Sequence, residues 1–254
     1  MYFLSEAVSQ LGVKVVLSGE GADEIFGGYL YFHNAPSEEE FQKECIRRVS
    51  ILSRFDCLRA DKSCYAHALE SRVPFLDKGF LQVAMSMDPH WRQPKPMDRC
   101  GGPRVEKFVL RRAFEDHKDP VLPAEILWRQ KEQFSDGVGY GWIDQLRDYC
   151  AGEVSDEEMA KAREIFSHNT PSTKEAYYIR RVFHKHFPSE KAAQTVEKWV
   201  PKWQKSEDPS GRANAVHVDA VEGGVAVHGS GKNGHLTAVN GVSVGDMLDE
   251  TDAD

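Results

Sequence analysis

The sequence predicts an α/β domain that is mostly helical, and three observations carry that assignment. The first is a short apolar run, Val13 to Leu17, interrupted only by Lys14 and rich in β-branched residues. It is too short for a core helix and reads as a buried strand of a parallel sheet. The second is the string Ser18-Gly19-Glu20-Gly21 that ends the run, after which Ala22-Asp23-Glu24 opens a short helix. The third is that apolar residues recur at helical spacing in most segments after Tyr29.

The elements follow in order. Met1, Leu4, Val8 and Leu11 keep helical spacing, and Gly12 stops the pattern as a C-terminal cap does. The strand over 13–17 needs neighbours on both sides, and stable sheets usually hold several strands. No second convincing strand is legible downstream, so its partners are expected in an absent N-terminal part of the domain. Ser37 and Glu40 form a capping box for a helix running towards Arg54, with Phe41, Cys45, Ile46, Val49 and Leu52 on its apolar stripe. A helix over 56–69 leads to Glu70–Asp77, where Pro74 forces an extended residue and marks a break between helices. Helices are predicted over 76–87 and 104–116, separated by a Pro- and Gly-rich loop over 89–103. Residues 127–137 are polar and aromatic without a clear period, the kind of loop that often carries binding groups. Helices are predicted over 140–150, 155–166 and 172–187, and a last one over 191–204 with Trp199 and Trp203 four apart. The composition then shifts to Gly, Ala, Val, Asp and Ser, so 1–205 reads as domain and 206–254 as a mostly disordered tail.

Composition excludes several classes. A formal net charge of -8 over 254 residues argues against a general nucleic-acid binder. No apolar run is long enough to span a membrane. Cys45, Cys57, Cys64, Cys100 and Cys150 form no C-x-x-C pair, which suits reduced thiols in an intracellular protein and not a zinc site. The opening MYFLSEAVSQL has no basic region and is not a signal peptide.

The turn after the strand is the candidate site. In open α/β sheets ligands bind off the carboxyl ends of the strands. Small residues there let a backbone approach a phosphate or ring, while Glu20 and Asp23 can take a metal or a proton. A plain strand-to-helix turn with Asp23 as its cap explains the same spacing.

Three longer strings narrow this: SGEGADEIFGGYLYFHNAP from Ser18, ESRVPFLDKGF from Glu70, and LWRQKEQFSDGVGYGWID from Leu127. With them the chain resembles the glutamine-dependent asparagine synthetases from Met1 to about Phe187, and DPSGRA from Asp208 resembles that family's tail. The resemblance implies the C-terminal portion of a doubly wound ATP-pyrophosphatase domain. In that family ATP, with Mg²⁺, adenylates the side-chain carboxylate of aspartate, and ammonia from a glutaminase domain attacks the β-aspartyl-AMP. Carried over, Ser18 and Gly19 touch the nucleotide, Glu20 serves formation or consumption of the aspartyl-AMP, Asp23 binds Mg²⁺, and Lys131 holds the phosphates.

The residue types suit these roles: a fixed cation and a metal stabilise charge building on phosphate, and a carboxylate can take the proton that ammonia loses. Each has a rival: Glu20 as an acceptor within its own turn, Asp23 as a helix cap, Lys131 as a solvated lysine. Lys107 is a weaker candidate than Lys131. Glu70, Arg72 and Asp77 read as an Arg–carboxylate fork pinning the loop at Pro74, with recognition of the α-carboxylate of aspartate as the alternative. No histidine pairs with a cysteine or carboxylate at catalytic spacing.

The family's N-terminal cysteine nucleophile and its Ser-Gly-Gly-x-Asp-Ser phosphate loop do not occur in this sequence. Losing four charge-assisted bonds costs about 6–12 kcal/mol, or roughly four to nine powers of ten in affinity. The chain is therefore expected to be a fragment that is inactive alone. Its expected partners are aspartate, ATP, ammonia and either a second copy or the missing N-terminal half, in the cytosol, with neither nucleic acid nor membrane. The alternatives are a non-catalytic remnant that binds a full-length synthetase and, more distantly, a β-lactam-forming relative.

Overall fold

The computed structural model describes residues 1–95, 105–115, 118–134, 141–205, 210–214 and 216. Contacts divide the chain into two compact units, one of Met1–Lys131 with the segment from Trp199, the other chiefly Glu132–Lys198.

In the first unit, α1 (Tyr2–Gln10) gives way at Gly12, whose φ of +78° suits a glycine turning the chain into β1 (Val15–Leu17). A second strand exists where a break between helices was expected. β2 (Glu70–Arg72) pairs with β1 in parallel, Val15 opposite Glu70 and Leu17 opposite Arg72. Glu-Ser-Arg carries no apolar alternation, so it has no strand signature of its own. The ladder makes it a strand: the Glu70 N–H donates to the Lys14 carbonyl at 2.9 Å and the Ser18 N–H to the Arg72 carbonyl at 2.8 Å. The reading of β1 as buried is also corrected, because Val15 is 39% and Leu17 76% exposed. Parallel strands are buried when helices cover both faces and strands flank both edges, and among the described residues this sheet has two strands.

The turn after β1 leads into α2 (Ala22–Ile25) through Gly21 at φ +93°, where a Cβ would press on the Leu76 side chain. Asp23 is not the cap; Gly21 holds that position without a side-chain bond. Ile25 and Phe26 are buried against Ala84, with Phe75 and Leu81 packed around them. A second core gathers Tyr31, Phe32, Phe41 and Cys45.

α3 (Glu38–Ile51) starts at Ser37, whose hydroxyl accepts the Glu40 N–H at 3.2 Å. The predicted box is half made, since the Glu40 carboxylate turns to Lys43 at 3.0 Å. α4 (Asp56–Tyr65) ends earlier than expected, with Ala68 at φ +53° reversing the chain ahead of β2. The predicted fork at Pro74 does not form. Arg72 pairs with Glu70 at 2.7 Å on the surface, while Asp77 caps α5 (Lys78–Ser86) by accepting the Phe80 N–H at 2.9 Å. Three short helices follow: α6 (Pro89–Arg92) inside the expected loop, α7 (Phe108–Ala113), and α8 (Ala124–Leu127).

The Trp199 and Trp203 pair lies on no helix, contrary to expectation, and packs against the Tyr31–Phe41 core. Arg48 stacks over the Trp199 ring at 4.0 Å and donates to the Val200 carbonyl at 2.7 Å. Both indoles are partly buried against that core, and Trp203 has a left-handed backbone at φ +57°.

The second unit is helical: α9 (Gly141–Glu153), α10 (Asp156–Ala160), α11 (Ala162–Ile165), α12 (Lys174–His186) and α13 (Glu190–Gln194). Val154, Ala162, Phe166 and Tyr177 form its core. Ser155 and Glu158 complete a reciprocal capping box, and the helix expected over 155–166 is interrupted at Lys161. Of the tail, a turn at Gly211–Ala213 flanked by buried Ser210 and Asn214 is described. The rest of the tail expected to be disordered, residues 135–137 of the expected binding loop, and Cys100 lie outside the described residues. No helix among the described residues is long and apolar enough to cross a membrane.

Candidate active site

The site grows from the carboxyl end of β1. The Ser18 N–H is tied to β2, and the Gly19 carbonyl accepts the Ala22 N–H at 3.3 Å. A Cβ built on Gly19 meets nothing within 4 Å, so the backbone there is open to a ligand. Glu20 is mostly buried, with Arg59 3.8 Å away; that Arg sits closer, at 2.8 Å, to Asp56. Burial pushes the Glu20 carboxyl up, the Arg59 guanidinium opposes this, and Asp56 and Asp23 push it further up; the net shift is upward.

Asp23 Oδ1 lies 3.0 Å from Lys107 Nζ and 3.8 Å from Lys131 Nζ. Lys131 also stands 5.9 Å from the centre of the Tyr29 ring. Glu20, Asp23 and Lys131 thus share one charged cluster beside Ser18 and Gly19. Lys107, ranked below Lys131 from sequence, is the nearer cation. It precedes α7 with a left-handed backbone at φ +58°, and its N–H donates to the Phe26 carbonyl at 3.2 Å. Reading 104–116 as one helix had hidden that turn.

Behind this cluster lies a group that sequence reasoning missed. Tyr29 donates to Glu24 at 2.6 Å and has Asp56 at 3.3 Å. Glu24 is only 2% exposed, and burial pushes its carboxyl up to about 7 against the Tyr29 bond. Its sole sequence signal is its place beside Asp23 on a helix too short to expose both. A carboxyl raised in the fold stabilises below its unfolded value and loses that stability as pH rises. Between pH 4.5 and about 7 the fold should lose about 3 kcal/mol through Glu24. Glu24→Gln should abolish that slope. Urea unfolding with chelator should give matching slopes below pH 4.5 and a more stable variant above pH 7.

Gly28 holds the cluster together by having no side chain. A Cβ there would lie 2.6 Å from Lys107 Cε and 2.8 Å from Asp23 Cα, and would collide with Asp23 Oδ1. Gly28→Ala should therefore part Asp23 from Lys107 and cost about 1–3 kcal/mol, read as a lower thermal midpoint. An unchanged midpoint would show that the pair gives way without strain.

Two histidines meet carboxylates that lie far from them in sequence. His90 Nδ1 lies 2.9 Å from Glu38, and His33 Nε2 lies 2.5 Å from Glu106. His33 and Glu106 are 73 residues apart in sequence, so no local spacing could have signalled them. Cys45, Cys57, Cys64 and Cys150 are free thiols. No three His, Cys, Asp or Glu side chains among the described residues converge as a metal cage. Mg²⁺ needs no such cage, since one or two carboxylates with substrate phosphates suffice. Asp23 fits: its Oδ1 is buried and, beyond the two ammonium groups, accepts no hydrogen bond among the described residues.

Comparison with known proteins gives this cluster its context. The family model described as asparagine synthase matches residues 1–41 and 34–209. A probable glutamine-hydrolyzing asparagine synthetase of Dictyostelium discoideum is 54% identical over 224 residues, covering 87% of this chain and 40% of that protein. Glutamine-hydrolyzing asparagine synthetase 1 of Arabidopsis thaliana is 52% identical over 237 residues, covering 88% and 40%. The nodule enzyme of Pisum sativum is 51% identical over 236 residues, covering 87% and 40%. The chain thus spans about 40% of the length of these relatives. Over residues 1–209 the chain matches the asparagine synthase model, and it belongs to that family.

Proposed function

We propose that this chain supplies the synthetase part of a glutamine-hydrolysing asparagine synthetase, which makes asparagine from aspartate, ATP and ammonia. The observation that carries the reading is Asp23 between two ammonium groups, at 3.0 and 3.8 Å, beside a carboxyl whose pKa is raised. In this reading the β-carboxylate of aspartate attacks the α-phosphate of ATP, and pyrophosphate leaves. Lys131 and Lys107 stabilise the charge that gathers on the departing phosphates. Asp23 would hold Mg²⁺, which supplies Lewis-acid charge neutralisation there. In this reading Ser18 and the open backbone at Gly19 touch the nucleotide. Ammonia then attacks the acyl carbon of β-aspartyl-AMP, AMP leaves, and Glu20 takes the proton released from nitrogen. Its raised pKa brings it closer to the operating pH, where a general base works best.

The same proposal extends to architecture. A parallel β1–β2 pair with the site at its carboxyl end, and apolar β1 side chains left exposed, suits part of a doubly wound ATP-pyrophosphatase sheet continued by upstream strands. We keep 1–205 as the domain and 206–254 as its tail, and the soluble substrates suit the cytosol. The remnant reading is disfavoured because a purely structural role gives no reason to hold two lysines on one carboxylate.

The test joins this chain to the N-terminal portion of the Dictyostelium relative and measures ammonia-dependent asparagine formation with ATP and Mg²⁺. Activity is expected in the joined protein and not in the chain alone. A folded joined protein without activity, beside an active Dictyostelium parent, would sink the reading.

A further inference from the structure

The roles given to Glu20, Asp23, Lys107 and Lys131 leave the buried His33–Glu106 pair without a part. We propose that His33 and Glu106 form a clamp that sets Lys107 against Asp23, which makes both of them positioning residues. The role in catalysis rests on the synthetase reading; the mechanical role does not.

Glu106 immediately precedes Lys107 and is held at both ends. Its carboxylate meets His33 Nε2 at 2.5 Å, and its carbonyl accepts from Arg111 Nε at 2.7 Å. Both side chains are buried, 7% exposed for His33 and 4% for Glu106. The other ring nitrogen of His33, Nδ1, is buried without a hydrogen-bond partner among the described residues. An ionised carboxylate can only accept, so Nε2 carries the proton that is donated to Glu106. Burial pushes the Glu106 carboxyl up, but the His33 bond and charge outweigh it and the net shift is downward.

The consequence falls on the next residue. Lys107 adopts φ +58°, a conformation that a lysine keeps only when its surroundings enforce it. With Glu106 pinned on one side and the Lys107 N–H on the Phe26 carbonyl, the chain reverses there and the ammonium arrives 3.0 Å from Asp23. Arg111 carries the constraint further by donating to the Leu127 carbonyl, ahead of Lys131. Without the Glu106 carboxylate, Lys107 is free to relax to an ordinary backbone and leave Asp23.

Two readouts test this. The first labels lysines of the full chain briefly with acetic anhydride and reads each site by mass spectrometry. Labelling of Lys107 should rise severalfold in Glu106→Ala and in His33→Phe and stay at the wild-type level in Glu106→Gln, which still accepts from His33. Lys43, on α3, should not change. Equal Lys107 labelling in all these proteins overturns the clamp. If Glu106→Ala does not fold, His33→Phe against Glu106→Gln decides it.

The second readout uses the joined synthetase. Glu106→Ala should lower kcat/KM for ATP by about 10–100-fold, the scale of a misplaced catalytic group. In a Lys107→Met background the same change should cost nothing more, because its effect passes through Lys107. An equal loss in both backgrounds would make the pair merely structural and overturn the proposal. An inactive wild-type joined protein would instead count against the synthetase reading, and the labelling result would still decide the clamp.

Discussion

Glu20→Ala in the joined synthetase should slow asparagine formation by about 10²–10⁴-fold, the usual contribution of a positioned general base. The thermal midpoint should hardly move. Arg59 is 3.8 Å away and already engaged with Asp56 at 2.8 Å, so little stabilising contact is lost. Burial already penalises the charged form of Glu20, and removing it relieves that cost. Glu20→Gln should lose activity equally, because an amide cannot take the proton from ammonia. The rival role, an acceptor within its own turn, predicts the reverse pattern of lost stability with retained rate. Among the described residues the contact of the Glu20 carboxylate is with Arg59, not with a backbone N–H of that turn. Kinetics and thermal melts on the same samples separate the two.

Arg48→Ala should have the largest effect on stability, about 3 kcal/mol, the lower end of the range for breaking a buried pair, because it removes the one buried cation from a buried carboxylate. Glu44 is fully buried and lies 2.9 Å from Arg48 Nε, which also meets the Tyr31 hydroxyl at 3.0 Å. Burial pushes the Glu44 carboxyl up, yet its bond to Arg47 and the charges of Arg48 and Arg47 bring the net shift down. Arg47 at 2.6 Å and Lys202 at 3.2 Å would remain, so the lower end of that range is expected. The substitution also removes the stacking on Trp199 and the bond to Val200, so the segment carrying both indoles should loosen. Arg48→Lys should recover little, since an ammonium cannot stack flat on an indole while bonding on two sides. Urea unfolding gives the difference directly. A loss below about 1 kcal/mol would put this pair with ordinary surface bridges.

What could be read from sequence depended on how local the cause was. β1, the turn after it, and most helices follow from runs and periods within a dozen residues, and these appear close to where they were expected. Asp23 was legible in the turn after β1 and Lys131 only in a family motif, and the fold brings them within 3.8 Å. The misreadings share a different cause. β2 is a strand because β1 offers it a ladder, Trp199 and Trp203 follow a core built by residues far upstream, and His33 finds Glu106 across 73 residues. Lys107 was undervalued because it is itself a left-handed residue, invisible to periodicity, that delays the start of the expected helix to Phe108. Glu24 was missed because its burial comes from the packing of α2 against α3 and α5, not from the pattern of its neighbours in sequence.

The open flank of β1 also bears on how the chain behaves in a test tube. Val15 and Leu17 present apolar side chains on a strand whose single partner among the described residues is β2. Such an edge is a template for any extended segment that meets it, including the same strand in another molecule. Lys14 is the one charge within the run from Val13 to Leu17, and charge on an edge is how proteins discourage that encounter. Replacing this lysine with valine would remove the safeguard, so handling the chain alone becomes a question of colloidal stability as much as of folding.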